Sequence, residues 1–157
     1  VMMVADGTRL HQVVTNIVGN IHRYTPADSP VELSLGVLGL DMPLDELTAL
    51  ASGEESLQAI VGAAARFTVT QHGMMVAVAR FTDHGPGVPP DGLARIFERF
   101  YTADPSRARQ KGGTGLGMAI AQSVINAHRG FICATESPGG GLTFTIVMPL
   151  APDEAEA

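Results

Sequence analysis

At 157 residues the chain suits one domain with a real core, and a composition of 45% hydrophobic and 17% charged residues reads as globular. A net charge of −6 without a Lys/Arg-rich block gives no footprint for nucleic acid, and scarce aromatics without Trp offer no base-stacking platform. The single cysteine, Cys133, excludes an internal disulfide or a multi-Cys metal site, and no apolar run reaches the roughly 20 residues of a membrane span.

Val1 to Val4 read as a strand entered midway, which suggests a piece of a longer protein. Asp6 can cap a helix from Gly7 to His22 whose apolar positions Leu10, Val13, Val14, Ile17, Val18 and Ile21 form one stripe. Thr25-Pro26 and Asp28-Ser29-Pro30 end it. Val31 to Leu38 alternates as a strand. Residues 39–66 read as an insertion: Pro43-Leu-Asp-Glu-Leu, Ser52-Gly53-Glu54-Glu55 and an Ala-rich run fit two short helices. Phe67 to Gln71 and Met75 to Phe81 read as a hairpin about His72-Gly73.

Asp83 to Pro90 is a Gly/Pro loop, and Leu93 to Phe100 a short helix. A polar, basic stretch from Thr102 to Gly113 precedes a second long helix from Leu116 to Ala127, stopped by Gly130. Strands Phe131 to Glu136 and Leu142 to Met148 flank the turn Ser137-Pro-Gly-Gly-Gly141. The domain spans residues 1–150, and the acidic residues 151–157 read as a frayed tail.

Three stretches carry candidate chemistry. Gln12, Asn16, Asn20 and Arg23 cluster within about 80° of a helical wheel, opposite the apolar stripe. Asparagine carbonyls and an Arg aligned in this way suit a hydrated cation and a phosphate, although an ordinary solvated face has the same composition. In Asp83-His-Gly-Pro-Gly87, a carboxylate at a strand end can accept from an exocyclic amine such as that of adenine, beside glycines that permit close approach; the same residues also make a plain turn. Gly112-Gly-Thr-Gly-Leu-Gly117 opens a helix, so its amides suit phosphate, or it serves as a hinge. It is neither a GxxxxGK[ST] loop nor a Rossmann turn, since no apolar strand precedes it.

Taken in order, two Asn four apart on a helix, Asp-x-Gly-x-Gly, Phe97-Glu-Arg-Phe100 and Gly-x-Gly-x-Gly before a helix closely resemble the catalytic domain of bacterial sensor histidine kinases, in the superfamily shared with gyrase, heat-shock-90 and mismatch-repair ATPases. The match runs from Asp6 to Pro149 around the insertion. The resemblance implies an α/β two-layer sandwich: a mixed sheet with three main helices on one face, and ATP held under a lid. Asn20 resembles the magnesium-binding asparagine, with Asn16 in the same site. Arg23 stands at the basic phosphate contact and Tyr24 near the adenine. Asp83 resembles the aspartate that recognises the adenine amine, supported by Gly85 and Gly87. Phe97 and Phe100 match the motif anchoring the lid. Gly113, Thr114, Gly115, Leu116 and Gly117 match the segment that cradles the phosphates. The cofactors implied are ATP and Mg²⁺.

Several positions depart from the family pattern. Thr102 stands where relatives carry an Arg or Lys that reaches the phosphates; Arg107, Arg109 or Lys111 is a replacement, or simply solvates the lid. His84 reads as a variable loop residue, Ile21 as packing, and the insertion as either a docking surface or an inert excursion. None of the five histidines lies in the helical His-Glu/Asp setting of the family's phosphoacceptor. The resemblance therefore implies a histidine-bearing dimerisation domain of the same protein as phosphoryl acceptor and a response regulator downstream, with no nucleic acid partner. It also implies a cytoplasmic domain, without membrane contact of its own, of a membrane-anchored parent. The alternatives are a superfamily ATPase, an anti-sigma-factor serine kinase, or a nucleotide-binding or docking module with weak or no kinase activity. Phe97-Glu-Arg-Phe100 speaks against the first two.

Overall fold

The computed structural model describes residues 3–39, 75–103 and 112–150. Helix α1 spans Gly7–Tyr24 and starts where expected, because the Asp6 side chain accepts from the Arg9 amide at 3.1 Å. It runs two residues past the expected His22 and ends as Thr25 turns extended, its amide closing onto the Ile21 carbonyl at 2.8 Å. That last turn carries Arg23 and Tyr24. Met3 and Val4 lie in no regular element, contrary to the strand expected there. Nothing in the described sheet pairs with them.

Strands β1 (Val31–Gly39), β2 (Met75–Asp83), β3 (Phe131–Glu136) and β4 (Leu142–Pro149) form a sheet of order β1-β2-β4-β3. All four described strands pair antiparallel, within the expected α/β class; Phe67 to Gln71, a further strand expected of the mixed sheet, lies outside the described residues. The reason is topological: β3 returns at the far edge parallel to β2, and β4 turns back by a hairpin to fill the gap between them. Register places Asp83, the last residue of β2, opposite Val31, while its neighbour Thr82 faces Thr143 of β4.

Helix α2 spans Pro90–Arg95, not the expected Leu93 to Phe100. Pro90 occupies its first turn, where a missing N–H costs nothing. Beyond Arg95 the chain closes single turns, and at Phe100 it enters left-handed backbone with φ 64°, which no helix continues. Helix α3 covers Gly117–Ala127, one residue shorter at its start than expected.

Helices α1 and α3 pack together over one face of the sheet. Val13, Ile17 and Ile21 of α1 meet Ala121 and Ile125 of α3 above Phe81, Phe144 and Ile146 of the sheet. Each large aliphatic side chain buried there contributes about 1.5–3 kcal/mol. Val14 and Val18, counted in the apolar stripe, are 42% and 48% exposed. The buried face is thus rotated toward Asn16 and Asn20, so these polar residues flank the core instead of opposing it. The four expectations for residues 40–66, 67–71, 104–111 and 151–157 lie outside the described residues.

Candidate functional site

A cavity of about 600 Å³ lies between the second half of α1, the end of β2, the loop before α2 and the start of α3. Asn16, Asn20, Arg23 and Tyr24 reach it from α1, joined by Thr15 and Gly19. Asp83 and Gly87 line the strand end, and Thr114, Gly115 and Gly117 the far wall. Arg23 and Asp83 are the charged side chains on the wall among the described residues, so the site carries one cation and one carboxylate.

Asp83 is 5% exposed and buried polar groups need partners; one carboxylate oxygen, Oδ1, accepts from the Gly85 amide at 2.8 Å. Gly85 itself sits behind the aspartate, where an added Cβ would lie 2.9 Å from Oδ1 and 3.1 Å from the Thr25 hydroxyl. That turn holds the carboxylate at the cavity edge with its second oxygen uncommitted to Gly85. His84, expected to be a loop residue of no special role, pairs with Glu32 of β1 at 2.9 Å on the exposed rim.

At the opposite end, Gly115 takes φ 67°, and a Cβ there would come within 2.7 Å of the Phe100 Cα. Only glycine lets the two strands of backbone approach so closely, and the approach is fixed by the Phe100 amide donating to the Gly115 carbonyl at 2.8 Å. Phe100 thus ties down the glycine segment through its backbone. Phe100 itself is 72% exposed, while Phe97 packs against the core; residues 104–111 of the lid that the pair was expected to anchor lie outside the described residues. The Thr114 hydroxyl accepts from the Leu116 amide at 3.4 Å, and Gly117, the first residue of α3, lines the cavity together with Met118 and the helix's first amides. Those amides lack intrahelical partners, so this end of the site suits an anion.

Asn16 does something the sequence did not reveal. Its amide donates to the Gly117 carbonyl at 3.0 Å, stitching α1 to the first turn of α3. Asn20, one turn on, faces the cavity. Among the described residues no group of three His, Cys, Asp or Glu could enclose a metal. An amide oxygen beside an anion site still fits Mg²⁺, which takes oxygen ligands and keeps most of its waters and phosphate contacts.

Of the expected site residues, Gly85, Gly113 and Leu116 stand just outside the wall, while Arg107 and Lys111 lie outside the described residues. Thr102, the departure from the family pattern, does line the cavity. Sequence reasoning missed Thr15, Gly19, Tyr101, Met118 and Leu142. Thr15 and Gly19 share the helical face of Asn16 and Asn20 and were within reach of the wheel. Tyr101 carried no signal; its hydroxyl fills the space left by Gly92, where a Cβ would approach to 2.5 Å, and the Arg95 guanidinium lies 4.9 Å from its ring centre.

No described histidine lines this cavity. His128 engages both ring nitrogens, Nδ1 with the Val124 carbonyl at 2.8 Å and Nε2 with the Asp6 amide at 3.0 Å. No described helix is long and apolar enough to cross a membrane.

The sequence profile of the family described as "Histidine kinase-, DNA gyrase B-, and HSP90-like ATPase" matches residues 5–152. The signal transduction histidine-protein kinase BaeS of Escherichia coli (strain K12) is 32% identical over 94% of this chain, which spans 24% of that protein. Sensor histidine kinase CpxA of the same organism is 45% identical over 54% of the chain and 18% of its own length. The chain therefore spans about a quarter or less of these curated relatives. Among solved structures, the mycobacterial sensor histidine kinase MprB shares the fold with a TM-score of 0.62 at 23% identity, over 96% of this chain and 76% of that one. Full-length ShkA, solved in complex with AMPPNP, gives a TM-score of 0.61 at 28% identity over 98% of this chain and 24% of ShkA. A helix with two cavity-facing asparagines, a strand-end aspartate and a glycine-led helix in one pocket agree with that likeness: this chain belongs to the histidine kinase-, DNA gyrase B- and HSP90-like ATPase family, as a catalytic domain of the histidine-kinase kind.

Proposed function

We propose that the chain binds ATP–Mg and donates the γ-phosphoryl group to a histidine on a separate dimerisation domain of the same sensor kinase, in two-component signalling. The observation that carries this reading is the polarity of the cavity. A buried carboxylate stands where the C-terminal end of α1 meets Gly85, and a glycine-led helix N-terminus stands where Asn16 bonds the Gly117 carbonyl, with Asn20 and Arg23 lining the same wall. A base bearing an amine suits the first place and a triphosphate the second.

In this reading the free oxygen of Asp83 accepts from the adenine amine while Tyr24 packs nearby. The amides at the start of α3, with Arg23, take phosphate oxygens. Asn20 holds the Mg²⁺, which neutralises charge on the phosphates when bound. Asn16 acts by keeping α1 and α3 in register. Arg107 and Lys111 are proposed to supply further positive charge in place of the basic residue that Thr102 lacks.

Catalysis then rests on positioning and electrostatics. A histidine nitrogen of the acceptor domain attacks the γ-phosphorus in line. The N–P bond forms as the bond to the β–γ bridging oxygen breaks, and the electron pair leaves with ADP. The parent protein is proposed to be membrane-anchored with this domain in the cytoplasm, and a response regulator takes the phosphoryl group onward.

The test is phosphorylation in trans. Mixed with ATP–Mg and the helical acceptor domain of its own kinase, the chain should label that domain on histidine. Steady release of inorganic phosphate without labelling would instead establish the ATPase alternative, and nucleotide binding with neither product would establish the docking module.

A further inference from the structure

The turn between β3 and β4, read from sequence as a plain hairpin connection, touches the candidate base site. A Cβ on Gly141 would fall onto the Asp83 carbonyl oxygen, 2.7 Å from its carbon and 2.9 Å from Oδ1 of the same residue. Gly141 takes φ 94°, and its own peptide lies 3.6 Å from where a Cβ on Gly87 would stand. Gly140 faces the same shelf, its Cβ position 3.6 Å from the Gly85 carbonyl. The turn therefore lies tightly against Asp83 and in contact with Gly85 and Gly87.

It is also anchored there. The Ser137 amide donates to the Gly141 carbonyl at 3.0 Å, and the Gly140 amide to the Ser137 carbonyl at 3.0 Å. The buried Ser137 hydroxyl pairs with that of Thr143 at 2.9 Å, which in turn pairs with Thr82 at 3.1 Å. This hydroxyl chain ends on the residue preceding Asp83. A side chain at 141 could not be relieved by moving the turn away without breaking it.

We propose that Gly141 is a specificity-determining positioning residue: by bringing bare backbone against Asp83, the β3–β4 turn fixes the carboxylate where it selects a nucleobase carrying an exocyclic amine. This rests on the reading of Asp83 as the base-recognising group. Gly141 would touch no nucleotide itself. Its effect should therefore appear in discrimination between bases and not in phosphate binding.

The experiment measures, by calorimetry on the whole chain, the affinities for ATP and for purine riboside triphosphate, which lacks only the amine. Wild type should prefer ATP by about tenfold or more, the range of a hydrogen bond to a charged group. Equal affinities in wild type would refute the Asp83 reading itself. Given that preference, Gly141→Ala should erase it by weakening ATP while changing the analogue by no more than about twofold. Gly139→Ala is the control, since it shares the left-handed strain at φ 86° but has open space around its Cβ; it should keep the preference. A Gly141→Ala chain that keeps the preference, or weakens both nucleotides equally, overturns the proposal. Should circular dichroism show Gly141→Ala unfolded, Thr143→Val, which cuts the hydroxyl chain tying the turn to Thr82, must reduce the ATP preference; an unchanged ratio there is equally fatal.

Discussion

Replacing Asp83 by Asn isolates the base contact with little cost to the fold. The side chain is 5% exposed, and its Oδ1 already accepts from the Gly85 amide at 2.8 Å. An asparagine can keep that bond through its carbonyl oxygen. The remaining position then carries an NH₂ group in place of an acceptor, and it would meet the adenine amine donor to donor. Loss of a hydrogen bond to a charged, nearly buried acceptor corresponds to about 1–3 kcal/mol, or roughly 5- to 150-fold in affinity. Titration calorimetry with ATP should report that loss, while the urea midpoint moves little because the Gly85 bond survives. An Asp83→Asn chain that binds ATP as tightly as wild type would refute the assignment of this carboxylate to the base.

Asn16 and Asn20 should behave differently although they share a helix face. Asn16→Ala removes the bond to the Gly117 carbonyl and should lower the unfolding free energy by about 0.5–1.5 kcal/mol; Asn20→Ala should raise the Mg²⁺ concentration needed for ATP binding, and an equal Mg²⁺ shift in both would contradict the division of roles. Gly115→Ala adds left-handed strain of roughly 1–2 kcal/mol and forces its Cβ toward the Phe100 backbone, so ATP affinity should fall while adenosine affinity holds. Ile17 is fully buried in the core, and Ile17→Ala should destabilise by about 2–5 kcal/mol in denaturant titration. Burial pushes the Cys133 thiol above its ordinary value, against lowering contacts with Thr145 and the charge of Arg80. The folded chain therefore holds this proton more tightly than the unfolded one. Its contribution is present below the free-thiol pKa and declines as pH rises through the higher folded value, so Cys133→Ala should flatten the alkaline fall in stability.

Much of the fold was legible because it rests on local patterns. The Asp6 cap, the start of α1 and both ends of β3 follow from nearest-neighbour chemistry, and the structure agrees with each. The helix expected over Leu93 to Phe100 was misplaced for a local reason too: the proline pair was taken as loop, whereas Pro90 opens α2. Contacts distant in sequence were invisible. Nothing near Asn16 announces Gly117, and nothing near Gly141 announces Asp83, because both meetings are made by the packing of α1 on α3 and of β4 beside β2. The wheel likewise set the asparagines opposite the apolar stripe. Which valines a helix actually buries depends on where its neighbours stand, and here Val14 and Val18 stay exposed while Asn16 is drawn to α3.

The most direct measurement of the central claim is a single-turnover experiment with [γ-³²P]ATP bound to this chain and chased by the acceptor domain of its own kinase. The label should move to that domain only with Mg²⁺ and only when its histidine is present, in a linkage stable to alkali and lost in acid. Label appearing solely as inorganic phosphate, at the same rate with and without that histidine, would contradict it.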